Sequence, residues 1–376
     1  MRSTTTLRAT AATIMLAGAL AGPGAAFADR GDEIVVGDGE SIQDAIDAAE
    51  PGTTIIVRGD HVENIWIDKD GISLVGRGGA TITQPENPTF APCEFFGPPG
   101  TSTTVCVFPQ SEEFPVPAAE QLSGFSITGL TVVNPSFDAI GVYATNDVRV
   151  SRNTTSDTGC SGIFLLFVNG LTVDRNTVTG AVDCNGIDVT ASSNGTVTRN
   201  VANGSGLNGI AINDSSDIVV SRNTATGNCQ GIGIFDNPDP SALPTIDVTV
   251  TRNTANANNT VCFPFDPPGS ETVPIGGTGI IVAGAENTVI ARNITNDNVV
   301  DGFTLTASGI FVTDFPGDDP SAPFSVSTNT TVDRNTAFGN TSDEGPRDLL
   351  VLTGGSFSID RNSCGVSVPD DSWCAD

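Results

Sequence analysis

The chain has 376 residues, 44 of them acidic against 16 basic, and a formal net charge of −28. That balance excludes nucleic acid as a partner, since two dense arrays of negative charge repel, and it disfavours polyanionic polysaccharide unless metal ions bridge. Eight cysteines without a Cys-x-x-Cys pair, and a single histidine, leave no ligand set for zinc or haem.

Residues 1–28 read as a secretory signal. Arg2 and Arg8 make a positive start, Ala11 to Leu20 is mostly apolar, and Ala26-Phe27-Ala28 suits a small-residue cleavage site. The apolar run is too short for a span of about 20 residues, so the expectation is a secreted chain with no membrane span. Residues 29–376 then form one domain, expected to be a monomer.

Residues 29–83 read as an N-terminal cap and first coils. Ile34-Val35-Val36 is a strand, and Ser41 caps a helix through Ala49 with Ile42, Ala45, Ile46 and Ala49 on one face. Pro51-Gly52 stops it. His61, in Gly59-Asp60-His61-Val62-Glu63, is assigned a packing role. Residues 84–121, rich in proline and holding Cys93 and Cys106, read as an inserted surface loop.

Residues 122–362 carry repeats. A phrase of Val or Ile, any residue, Arg and Asn recurs to place Asn153, Asn176, Asn200, Asn223, Asn253, Asn293, Asn335 and Asn362 in one column. The first steps are 23, 24 and 23 residues, enough for three short strands and their turns but too short for a helix pair. Apolar residues alternate before each Asn, as in Leu171-Thr172-Val173-Asp174. A second strand opens at Gly162-Ile163, Gly186-Ile187, Gly209-Ile210, Gly231-Ile232, Gly279-Ile280 and Gly309-Ile310. One coil cannot bury its inner face, but stacked coils can, each strand pairing in parallel with its copy one turn later. The Asn column is expected to supply left-handed corners and to form an amide ladder.

These repeats resemble those of right-handed parallel β-helix proteins, the pectin-lyase-like superfamily, from Glu33 to the C-terminus. The run from Ser41 through Gly78 is similar to the cap of its secreted bacterial members, and residues 363–376 to their disulfide-tied tail. The resemblance implies an all-β solenoid of about ten coils. The superfamily includes polysaccharide lyases, glycoside hydrolases, sugar epimerases, copper-insertion accessory proteins and members without known activity, so it says little about reaction.

Export makes the cysteines disulfides. Cys160 and Cys184 hold the same place in successive repeats and are paired; Cys93–Cys106 and Cys364–Cys374 close local loops, and Cys229–Cys262 remains.

Alternation in the Gly-Ile strands sends Phe164, Asp188, Ala211, Gly233, Ile281 and Phe311 outward, with Leu166, Thr190, Asn213, Phe235, Ala283 and Thr313 two positions on. Insertions at 236–246, 258–275 and 314–328 flank this face. One reading makes it a groove in which Phe235 and Phe311 stack on sugar rings while Asp188 and Asn213 bond hydroxyls; the other has the loops bury the Phe rings. Phe164, Asp188, Asn213, Phe235, Asp236, Phe311 and Asp314 are the candidate ligand-binding residues. Asp214, Asp236 and Asp314 share a column, with Asp239, Asp318 and Asp319 in neighbouring loops. They are an acid pair, a Ca²⁺ site or turn-forming residues, and the last is the usual role of Asp. No other cofactor is implied. Lys69, His61 and Tyr143 lie too many coils apart to act together as lyase groups. Arg152, Arg175, Arg199, Arg222, Arg252, Arg292, Arg334 and Arg361 precede the corner Asn residues and read as a stripe neutralised by acids such as Asp174, Asp333 and Asp360, the alternative being a site for carboxylate or sulfate groups. The expectation for function is a non-catalytic extracellular scaffold or glycan-binding module whose partner is an extracellular polysaccharide; the alternative is a polysaccharide lyase, hydrolase or epimerase.

Overall fold

The computed structural model describes residues 32–88, 100–111, 113–238, 243–262, 274–315 and 325–374. The expected signal, residues 1–28, lies outside them, as does Cys93 and with it the Cys93–Cys106 pairing. Among the described residues two long sheets run through the molecule, one of eighteen strands and one of eleven, and strand after strand pairs in parallel with its copy in the next coil. Ile187 lies beside Ile210, Ile210 beside Ile232, Ile232 beside Ile280 and Ile280 beside Ile310. These side chains are essentially inaccessible and belong to one continuous apolar core. Burying each contributes roughly 1.5–3 kcal/mol relative to exposure. The Gly before each Ile has a steric reason: a Cβ on Gly231 would stand 2.5 Å from the carbonyl oxygen of Gly279 in the next coil.

The Asn column is an internal ladder. Asn223 donates from both N and Nδ2 to Asn253 Oδ1, at 2.9 and 3.0 Å, and Asn253 does the same to Asn293 Oδ1 at 2.9 and 3.1 Å. Each amide also donates to a main-chain carbonyl of an earlier coil, as Asn253 Nδ2 does to Val220 O at 2.9 Å. The expected conformation is corrected here. The left-handed residue of each corner is the Arg, not the Asn: Arg152, Arg175, Arg199, Arg222, Arg252, Arg292, Arg334 and Arg361 have φ between 53° and 59°. The turn is taken one residue early so that the Asn side chain points inward, where it is 1–2% exposed.

A second amide ladder lies five residues further along. Asn228, Asn258, Asn298 and Asn340 are fully buried, each Nδ2 donating to the next Oδ1 at 2.8–3.0 Å, and Asn340 ends the ladder on Asp348 Oδ1.

Helix α1 (Ile42–Ala48) buries Ile42, Ala45 and Ile46. Its two ends are held by opposite charges. Glu63 accepts from the Ile42 and Gln43 amides and from Ser41 Oγ, while Lys69 Nζ donates to the carbonyls of Ile46, Asp47 and Ala49 at 3.0, 2.8 and 3.0 Å. This arrangement complements the helix dipole. The chain's only lysine is therefore a C-terminal cap. Lys69→Met is expected to lower stability by about 1–3 kcal/mol in urea titration, through three lost charge-assisted bonds. His61 is buried, its ring nitrogens facing Glu40 O and Arg58 O at 2.8 and 3.1 Å.

Residues 84–121 are not wholly a surface loop. Val105–Val107 forms a rung of the eleven-stranded sheet, between Ile65–Ile67 and Ile140–Tyr143. Val105 and Val107 fill the interior, and the Pro-rich flanks hide this three-residue alternation in the sequence. The tail also contributes a rung, Ser367–Val368. Disulfides join Cys160 to Cys184, Cys229 to Cys262 and Cys364 to Cys374.

Candidate functional site: a groove on the eleven-stranded sheet

The outer face of the eleven-stranded sheet carries a groove of about 530 Å³. The strands Asn208–Asn213, Gln230–Phe235, Thr278–Ala283 and Ser308–Thr313 lie side by side beneath it, aligning Asn213, Phe235, Ala283 and Thr313 in one row. Ile281, Phe311, Phe315 and Leu305 give it an apolar lining, and Asn185, Asn208, Asn213, Gln230 and Thr306 supply amides and a hydroxyl. Phe311 is 2% exposed and packs with Ile281 and Leu350, so it is floor and not a free stacking face. Phe235 is half-buried and meets Phe315 edge-on, ring centroids 6.1 Å apart. Gly233 makes room for that ring: a Cβ there would stand 2.2 Å from it and 2.7 Å from Asn208 Oδ1. Asn208 Oδ1 is itself buried without a hydrogen-bond partner.

Of the seven candidates, Asn213, Phe235, Phe311 and Asp314 line the groove. Asp188 lies behind it, accepting from Asn185 Nδ2, Thr190 Oγ1 and Asn213 Nδ2 at 2.7, 2.8 and 2.9 Å. Phe164 stands apart and packs on Tyr143 with centroids 5.6 Å apart. Asp236 accepts from the Thr245 amide. The two aspartates on the groove are likewise tied to loop backbone. Asp214 Oδ1 accepts from Asn237 N at 2.8 Å, and Asp314 accepts from Ser327 N, Gly354 N and Thr353 Oγ1. Among the described residues no three acidic, histidine or cysteine side chains gather as a metal site; Asp239, Asp318 and Asp319 lie outside those residues.

The polar residue before each Gly-Ile pair (Asn185, Asn208, Gln230) went unread in the sequence, although it recurs at that position in every coil. So did a buried acidic cluster at the groove's N-terminal side. Asp138 accepts from Ser161 N at 2.9 Å and from Tyr143 Oη at 3.2 Å. Burial, with Asp188 nearby adding repulsion, pushes the Asp138 carboxyl up to about 7. Burial also raises the Asp188 carboxyl, against the bonds from Asn185, Thr190 and Asn213. The Tyr143 hydroxyl is raised by burial and then by Asp138.

A carboxyl that stays protonated in the fold but ionises at 3.8 when unfolded stabilises below 3.8 and loses that contribution as pH rises to 7. The loss is about 4 kcal/mol over that window. Asp138→Asn keeps the acceptor for Ser161 N and offers Tyr143 a donor. Urea titration from pH 4 to 8 is therefore expected to give a flatter stability profile for the variant than for the natural chain, and a more stable variant at pH 8.

The fold is a right-handed parallel β-helix. The family described as "Right handed beta helix region" matches residues 70–254. Among solved structures the chain is similar to the A-module of a mannuronan C-5 epimerase of Azotobacter vinelandii, with 18% identity, a TM-score of 0.55, and 89% of this chain and 96% of that one covered. It is also similar to a periplasmic alginate epimerase, at 14% identity and TM-score 0.53 over 89% and 73% of the two chains. A family 28 exopolygalacturonase of Yersinia enterocolitica gives 13% and 0.55 over 90% and 78%. A search of curated proteins by sequence finds no match. At these identities the likeness is one of fold.

Proposed function

We propose that this protein is a secreted, non-catalytic polysaccharide-binding module whose groove takes a neutral glycan. The observation that carries the reading is the groove's composition: an apolar, aromatic floor beneath convergent amides and hydroxyls, the pattern that suits sugar rings and their hydroxyl groups. Asn208 Oδ1, a buried acceptor without a partner, suits a ligand hydroxyl. Between residues 200 and 346 the basic residues are Arg222, Arg252, Arg292 and Arg334, all on the Asn corner. The groove and its flanking loops therefore hold acids and no cation, which favours an uncharged chain over the mannuronan, alginate or polygalacturonan for which the structural neighbours are named. The non-catalytic reading rests on Asp214 and Asp314, each spent on loop backbone. Secretion draws on the N-terminal pattern and on three disulfides.

The test is a glycan array followed by mass spectrometry of every retained glycan after incubation. Retention of neutral glycans with unchanged mass and stereochemistry is expected, and Phe235→Ala should weaken it at least about tenfold, the scale of one lost aromatic contact. Shortened, unsaturated or epimerised products would overturn the binding module in favour of an enzyme.

A further inference from the structure

The arginine corner differs from the other corners of the coil. Three other columns in this molecule also take left-handed backbone; one holds Ala144, Phe167, Ala191 and Asp214, and the other two are mostly Asp, Asn and Gly. Of those two, one holds Asp147, Gly170, Asn194, Asp217, Asp247, Asn287 and Asn329; the other holds Asp157, Gly180, Gly204, Gly227, Ala257, Asp297 and Gly339. Only the fourth is Arg in eight coils, at φ 53–59°.

Charge sharpens the point. Arginines stacked one strand spacing apart, about 4.8 Å, repel one another unless paired. Four of the eight are paired: Asp174 bridges Arg175 and Arg199, Asp333 bridges Arg334 and Arg361, and Asp360 meets Arg361; Arg152, which follows Ser151, has no acidic partner among the described residues. In the three coils between Arg199 and Arg334, the residue before the Arg is Ser221, Thr251 or Ala291, and among the described residues Arg222, Arg252 and Arg292 have no acidic partner. All three are exposed. The Asp217 and Asp247 column stands five residues away along the same strands, about 16 Å, beyond the Debye length of about 8 Å at physiological salt; the one acid beside the three is Asp333, next to Ala291 in the following coil and already bridging Arg334 and Arg361.

We propose that Arg222, Arg252 and Arg292 form a binding site for a linear anionic polysaccharide, its carboxylate or sulfate groups seated on successive guanidinium forks. The ridge's direction, along the stack and not along a strand, suits a chain laid across coils. The site is independent of the groove and of whatever the groove binds.

The experiment measures binding of the full chain to immobilised polygalacturonate, dextran sulfate, uncharged dextran and duplex DNA, from 50 to 300 mM salt. Binding to one or both anionic polysaccharides is expected, weakening steeply with salt, with none to dextran on this ridge. The two anionic arms tell carboxylate from sulfate. The triple variant R222Q/R252Q/R292Q should bind at least tenfold more weakly. R222K/R252K/R292K should recover most of the affinity for sulfate, which separates lost charge from lost fold. R58Q/R77Q, which removes two exposed arginines of the first coils, several coils up the stack from Arg222, should match the natural chain. No retention on either anionic polysaccharide at 50 mM salt, equal binding by the triple Gln variant, or binding of DNA as tight as that of the polysaccharides would overturn the proposal. Phe235→Ala should leave this binding unchanged, so its failure and the groove's are distinguishable.

Discussion

Asn253→Ala is expected to lower stability by about 3–5 kcal/mol in urea titration, a large share of the roughly 5–15 kcal/mol that holds a typical domain. The side chain accepts from Asn223 N and Nδ2 and donates to Val220 O and Asn293 Oδ1. Removing it deletes four hydrogen bonds. It also leaves a main-chain N–H, a carbonyl and half of a neighbouring amide unpaired inside a core that water does not reach. Such orphaned groups cost about 1–3 kcal/mol each when desolvated, partly recovered by local relaxation. Asn253→Asp should be at least as damaging at neutral pH, since it replaces a donor that faces two oxygens with a third oxygen. An exposed ladder would predict less than about 1 kcal/mol, so the magnitude distinguishes an internal amide column from a decorative one.

Asp348→Asn is expected to cost about 2–4 kcal/mol, and its sign is informative. In a chain of net charge −28, removing an acid by itself relieves repulsion and stabilises. Asp348, however, is 3% exposed and accepts four N–H groups: Asn340 N and Nδ2 on one oxygen, Gly365 N and Val366 N on the other, at 2.8–3.1 Å. It closes the second amide ladder and ties it to the last rung. An amide in its place must turn an NH₂ toward two donors or toward the ladder. Destabilisation supports the terminator role. A neutral or stabilising change in the urea midpoint would contradict it.

Much of this architecture was legible because stacked coils repeat their constraints. The inward Ile of each Gly-Ile pair, the Asn column and the cap helix each rest on short-range patterns that period and alternation expose. What failed needed atoms. Asn is the usual non-Gly residue for a left-handed corner, so the sequence assigned it that conformation. The ladder instead requires an inward amide, which passes the turn to Arg. The second ladder, at Asn228, Asn258, Asn298 and Asn340, was visible as a fixed offset of five residues from the first, but it fills only half as many coils. The rung at Val105–Val107 is three residues long between Pro-rich flanks, too short for alternation to register. At the groove, Asn213, Phe235, Phe311 and Asp314 could be read from outward alternation and flanking insertions. The approach of Asp138 to Asp188 could not, since the two sit at different positions along the chain in coils that are two apart.

The central functional claim is that the outer face of the eleven-stranded sheet holds a sugar chain over Phe235. A crystal structure of the protein soaked with a neutral oligosaccharide retained on the array tests it most directly. The account predicts sugar density in the groove, a pyranose face on the Phe235 ring and hydroxyls within hydrogen-bond reach of Asn208 and Asn213. Sugar density confined to any other face, with this groove filled by solvent or by the flanking loops, would contradict it.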